Sequence, residues 1–306
     1  MSLVEKAVAA RIAIDQFGRM AQCRLKLCVD CTLFYDGGPR ANAAALQAFY
    51  EHALQIIGSH IRYGSTGGSS RLKKVNKQML NALPTWLDSA TSEPDVYGLK
   101  LESGSTADDI SDQALYFFDD LRSPGVIRLM LPVEFLGTDG ASLRKLVLDV
   151  VPGFRLLSAY AGFAVNVALD YPSHFPDWAV HGLSRRFRGV DFTHPLYFAS
   201  FMRRGIKSIN WLTFINDAHV KQLGGCDSVA GMLSTPVSMQ ALPNACMLQA
   251  GPQPCLGDVS AGEELPYYHQ VGRALHSLRF SDQVLRGFNG VGGQDNTRDW
   301  LARFDT

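Results

Sequence analysis

The 306-residue chain has no excess of either charge, since Lys+Arg and Asp+Glu both number 29. A protein that holds nucleic acid through a bulk positive field is thereby excluded, although a local patch is not. No apolar run approaches the length of a membrane-spanning helix, so no membrane partner is expected. The N-terminal segment lacks the uninterrupted apolar centre and small-residue cleavage site of a secretory signal. Glu5, Lys6, Arg11 and Asp15 interrupt it. The expected location is the cytoplasm.

Ordered catalytic motifs are also missing. H-E-x-x-H is absent, and with it a zincin-type site. G-x-S-x-G is absent, which leaves a hydrolase nucleophile elbow unsupported. Residues 64–70 (GSTGGSS) have the composition of a phosphate cradle without the G-x-x-x-x-G-K-[ST] order, and read as a flexible loop. The histidines are scattered. His174 and His181 would share a face only on a continuous helix, which Pro176 disfavours, and Asp217 with His219 is too local a pair without a third group. No catalytic residue, cofactor or metal is expected.

Cysteines are few, at positions 23, 28, 31, 226, 246 and 255. The first three have the C-x4-C-x2-C spacing of iron–sulfur ligands. Their context is strand-like, however: Cys23, Leu25, Leu27, Val29, Cys31, Leu33 and Tyr35 alternate with Arg24, Lys26, Cys28, Asp30, Thr32 and Phe34. That alternation sends Cys28 to the face opposite Cys23 and Cys31, so the thiols are read as structural.

What is present suits a packed protein: 46% hydrophobic and 19% charged residues supply ample core. An amphipathic helix is expected at the N-terminus, with Leu3, Ala7, Ala10, Ile14 and Phe17 on one face. Strands are expected at 23–35, 60–63, 96–102, 114–118, 126–135 and 156–169, with Gly162 as a bulge or close-approach point. Helices are expected at 46–57, 76–89 and 141–151. Farther on come helices at 176–187, 218–223, 266–278 and 296–304 and strands at 209–215 and 246–250. The 266–278 helix is read with Tyr267, Val271, Leu275 and Leu278 inward, and the glycine-rich 287–293 as mobile. The order predicts an α+β fold: an antiparallel or mixed sheet flanked by helices, with a more helical C-terminal half. A soft boundary at residue 170 divides 1–170, an α+β half with the N-terminal helix, from 171–306, a mainly helical half. A single domain is also allowed.

Residues 205–225 (GIKSINWLTFINDAHVKQLGG) organise this reading. Gly205 opens a turn, residues 209–215 form an apolar strand, Asn216 or Asp217 caps a short helix, and Gly224 and Gly225 end it. Trp211 is expected in the core, with a partner for its indole N–H. This stretch, with Asn210 and Trp211 at its centre, combines with Leu248-Gln249-Ala250-Gly251-Pro252 and Leu256-Gly257-Asp258-Val259. Ala161-Gly162 and the terminal run from Trp300 to Asp305 complete the set. Together these resemble the TsiV-type immunity proteins of bacterial type VI secretion, from about Cys23 to Asp305. The resemblance implies a binding protein that neutralises a cognate toxin, and it transfers no catalytic residue. Toxins of such systems are often restriction-endonuclease-like, with an acidic residue two positions before a lysine. None of the nine lysines here has Asp or Glu at that offset, so the chain does not look like the nuclease itself.

Charge is unevenly placed. Residues 88–120 hold nine acids (Asp88, Glu93, Asp95, Glu102, Asp108, Asp109, Asp112, Asp119 and Asp120) against one base, Lys100. Residues 62–77 hold five bases and no acid. Such runs are commonly a solvated face. The functional expectation is that Asp108, Asp109, Asp112, Asp119 and Asp120 meet a basic toxin, a nuclease-type effector, beside the aromatic run Tyr116-Phe117-Phe118. The competing readings are a metabolic enzyme with an unrecognised site, and a nucleic-acid-binding module using 62–77 or 185–207, which the neutral charge disfavours.

Overall fold

The structure is a computed structural model that describes residues 1–20, 25–67, 69, 71–88, 90, 92, 94–167, 177–279 and 293–305. Among these described residues ten strands form one sheet. They are β1 (Leu25–Tyr35), β2 (Tyr63–Thr66), β3 (Lys73–Lys74), β4 (Tyr97–Glu102), β5 (Ala114–Asp119), β6 (Gly125–Leu131), β7 (Leu156–Val167), β8 (Leu212–Asn216), β9 (Ser238–Leu242) and β10 (Ala245–Gln249). Their order is β3-β2-β4-β5-β6-β1-β7-β8-β10-β9, and every neighbouring pair is antiparallel. The sheet runs across residue 170 through the β7–β8 pairing.

The long central strand β1 follows the alternation expected of it. Leu27, Val29, Cys31 and Leu33 enter the main core with Leu3, Ala7, Ala10 and Ile14 of the helix Leu3–Met20. Leu46, Phe49, Ala53 and Ile57 of the helix Ala43–Ile57 join the same core. Cys28 lies on the other face, in a small cluster with Ala114, Met130 and Ala164. Cys23 lies outside the described residues, and Cys28 and Cys31 point apart, which is incompatible with convergent ligands.

That second face carries a polar row. Ser65, Lys100, Tyr116, Arg128, Thr32, Tyr160 and Thr213 stand opposite one another in register across seven strands. Period-two geometry places them all on one face. Residues 194–207 cover part of it. The His194 ring meets Tyr116 at 5.6 Å, Ser158 Oγ donates to Met202 Sδ at 3.3 Å, and the Lys207 amine lies over the rings of Tyr160 and Phe198.

Several expectations change. The C-terminal half is not clearly the more helical among the described residues, and β9, which completes the edge hairpin with the expected strand β10, takes residues that carried no strand signal. The segment Ser238–Leu242 has no β-branched or aromatic residue, and its pairing with β10 supplies what local preference does not. Gly64 to Thr66, read as flexible loop, complete β2 against β4. In the helix Pro266–Ala274 it is Tyr268 that is buried, and Tyr267 is exposed. His174, Pro176 and the glycine-rich stretch up to residue 292 lie outside the described residues.

Candidate partner interface

The motif residues converge on Trp211. Its side chain is buried, and its indole N–H donates to the carbonyl oxygen of Gly251 at 3.1 Å. Ala250 N–H donates to the Trp211 carbonyl at 2.8 Å, so the two motifs are stitched in both directions. Asn210 Oδ1 accepts from Trp211 N–H at 2.8 Å. It does so pressed against Gly162 of β7, where a Cβ would overlap it. The β1–β7 register passes through Gly162 without a shift, so this glycine is a point of close approach and not a bulge. Gly251 has φ 88°, a left-handed conformation that ends β10 and aims its carbonyl at the indole. Pro252, next to it, is exposed.

The remaining motifs brace this centre. Gly224 and Gly225 N–H groups donate to Lys221 and Val220 carbonyls and close the helix Asp217–Gln222, which Asn216 caps at His219 N. Gly205 is buried, and Ile206 beside it donates to Leu278. Asp258 receives both arms of Arg186 at 3.0 Å, while the carbonyl of Gly257 receives Arg188 N–H. The Arg303 guanidinium stacks on Trp300 at 3.7 Å and donates to Ser208 and to the Arg188 carbonyl. These residues build the frame and do not form an exposed site.

The acids are distributed differently from the single patch that their sequence positions imply. Residues 103–113 connect β4 to β5 at one end of the sheet, whereas Asp119 and Asp120 stand at the far end of β5, about 17 Å away for six extended residues. Asp95 precedes Tyr97, which pairs with Asp119, and so belongs to that second end. Asp119 is 1% exposed and offers no contact surface. Its carboxylate accepts from Tyr35 O–H at 3.0 Å and Leu121 N–H at 2.7 Å, and burial pushes its pKa up. Asp120 accepts from Arg122 and Ser123 N–H groups. The pair thus holds a turn that presents Leu121, which is 46% exposed at φ 62°.

At the first end, Asp108 and Asp109 are exposed and Asp112 is half-buried. Burial disfavours the charge on Asp109, but hydrogen bonds from Ser105 N–H and Oγ at 2.9 Å outweigh it and hold the carboxyl below its ordinary range. The loop is anchored where Asn166 Nδ2 of β7 donates to the Ser111 carbonyl at 2.7 Å. Arg11 bridges Asp112 at 3.7 Å and Glu134 at 2.8 Å. Glu134 therefore joins this acidic end, although it is remote in sequence. Of the other acids, Glu102 is buried against Lys100 at 3.0 Å.

The model of the TsiV family, described as type VI immunity for VRR-NUC, matches residues 45–304. The chain belongs to the TsiV family. No curated protein matches it. A solved structure, the Pseudomonas aeruginosa T6SS protein PA0821, is similar with a TM-score of 0.79 at 17% identity over 92% of this chain and 85% of that one. The likeness is one of fold.

This TsiV chain also has a buried charged layer that the sequence reading missed. Asp30 and Arg128 pair at 2.7 Å, and Lys207 pairs with Asp191 while donating to Thr193 at 2.9 Å. All four charged residues are buried. Burial raises the cost of the Asp191 charge, but Lys207 and Thr193 hold its carboxyl below the ordinary value. The groups are spent on one another, fastening residues 191–207 across the polar face. Spacing gave no signal, because the four lie on separate segments. Among the described residues no group of three or more His, Cys, Asp or Glu could hold a metal ion. No helix among them is long and apolar enough to cross a membrane.

Proposed function

We propose that this immunity protein acts in the cytosol by binding a cognate nuclease effector of the VRR-NUC kind and blocking it, without catalysis of its own. The observation that carries this reading is the family match across residues 45–304, whose description names that class of toxin. Asp108, Asp109 and Asp112 on an anchored loop, with Glu134 drawn beside them through Arg11, support an acidic contact surface. A nuclease must carry a basic groove for phosphates, and complementary charge accelerates encounter with it. Leu121 offers a second, apolar contact at the other end of β5.

The test is co-expression with its cognate VRR-NUC effector. Protection of the cells and co-purification of a stoichiometric complex are expected, with DNA cleavage by the purified effector suppressed as the immunity protein is titrated in. Protection without a complex, or a complex that leaves cleavage intact, would sink the proposal.

A further inference from the structure

Cys226 and Cys246 bring their sulfur atoms to 3.6 Å. Cys226 is exposed at the start of the short helix Cys226–Gly231, directly after the paired glycines. Cys246 is buried on β10, opposite Ile215 of β8 and Ala241 of β9. The separation is that of two thiols in contact, close to the bonding distance of about 2.0 Å. The remaining described cysteines are placed otherwise. Cys28 and Cys31 are buried on opposite faces of β1, and Cys255 leans on Glu263 at 3.7 Å.

We propose that Cys226 and Cys246 form a reversible oxidation site whose oxidant is a hydroperoxide. Cys226, reachable from solvent, attacks the terminal peroxide oxygen. The O–O bond breaks, an alcohol or water leaves with the thiol proton, and Cys226 becomes a sulfenic acid. Cys246 then attacks the Cys226 sulfur. The S–O bond breaks as the S–S bond forms, and the departing hydroxide takes the Cys246 proton as water. Two thiols are oxidised, and one peroxide is reduced to an alcohol (or water) and a water. The division of roles follows from exposure. Burial pushes the Cys246 thiol up to about 12, which disfavours it as the first nucleophile.

The bond would tie the helix after Gly225 to the strand that runs on to Gly251. It closes the chain between residues 226 and 246, and so constrains the unfolded state and raises stability. Oxidation would thus tighten the edge hairpin β9–β10 and the frame around Trp211 without touching the acidic loop.

The full-length protein is treated with stoichiometric hydrogen peroxide, denatured, alkylated and peptide-mapped. The expected result is one cross-linked peptide pair joining Cys226 to Cys246, a mass loss of two hydrogens, and full reversal by dithiothreitol. The melting temperature should rise on oxidation and fall back on reduction. In Cys246→Ser, the same treatment should leave Cys226 as a sulfenic acid that dimedone traps. Both residues remaining alkylatable, a cross-link between other cysteines, or dimedone labelling of Cys226 in the wild type at the level seen in the variant would each overturn the proposal. The wild-type map decides even if a serine variant folds poorly.

Discussion

Trp211 and Gly251, forty residues apart in sequence, are joined by the indole N–H donating to the glycine carbonyl at 3.1 Å inside the core. The bond matters because a buried indole N–H without a partner costs about 1 to 3 kcal/mol. It also ties the end of β10 to the start of β8, so two separated motifs act as one structural unit. Trp211→Ala should cost about 3 to 5 kcal/mol in a urea titration. Trp211→Phe should cost less, since it keeps most of the apolar contact. An unchanged midpoint for the alanine variant would place Trp211 outside the frame.

The contact of Gly162 with Asn210 is equally specific. Gly162→Ala should destabilise by about 1 to 3 kcal/mol through overpacking against the Asn210 side chain. Combined with Asn210→Ala, the loss should be smaller than the sum of the two single losses, because the clash is gone. Strict additivity would show that the two residues do not meet.

Stability should fall as pH drops from 7.5 to 5. Burial first, then the cations Arg128, Lys100 and Lys207, push the His194 imidazole well below its ordinary value. His194 is therefore neutral in the fold, while in the unfolded chain it takes up a proton below about pH 6.5. The unfolded state binds more protons in this window, so its share of stability is lost with acid. His219 and His181 are lowered too, both mainly by burial, and leave a residual slope. Urea midpoints of His194→Gln should vary less over this range than those of wild type. Equal slopes would refute the assignment. The Asp191 contribution belongs to a separate window, since its lowered pKa keeps it ionised until the pH falls below about 3.9.

The two ends of β5 should respond differently to loss of charge. Replacing Asp108, Asp109 and Asp112 together by Asn should slow association with the effector and flatten its salt dependence while leaving the fold intact. Asp119→Asn should instead lower stability, because its carboxylate supports Tyr35 and the Leu121 turn. Stopped-flow association at low and high salt separates the cases. Wild-type rates for the triple variant would remove the acidic loop from the interface.

Leu121→Ser probes the other end. Its side chain is only about half buried and its left-handed backbone is strained for a leucine, so removing it should destabilise the free protein little. Faster dissociation of the complex in surface-binding measurements would place Leu121 in the interface, and an unchanged off-rate would exclude it.

The sequence by itself determined the elements whose signal is periodic or punctuated. The alternation in β1, the helical faces of Leu3–Met20 and Ala43–Ile57, and the Asn216 cap all follow from residue order, because period and capping act within a few residues. The family motifs were also legible, as was the need for a partner at the Trp211 indole. Tertiary structure alone decided which partner it was, since Gly251 reaches it through strand pairing and not through the local chain. It also decided where the charges went. Acids close in sequence were parted by the direction of β5, Glu102 and Asp119 among them were buried, and Glu134 was brought to the exposed ones by Arg11. Asp30, Arg128, Asp191 and Lys207, distant in sequence, were gathered into one buried layer. Strand length and sheet order set these distances, and neither is encoded in the spacing of charged residues along the chain.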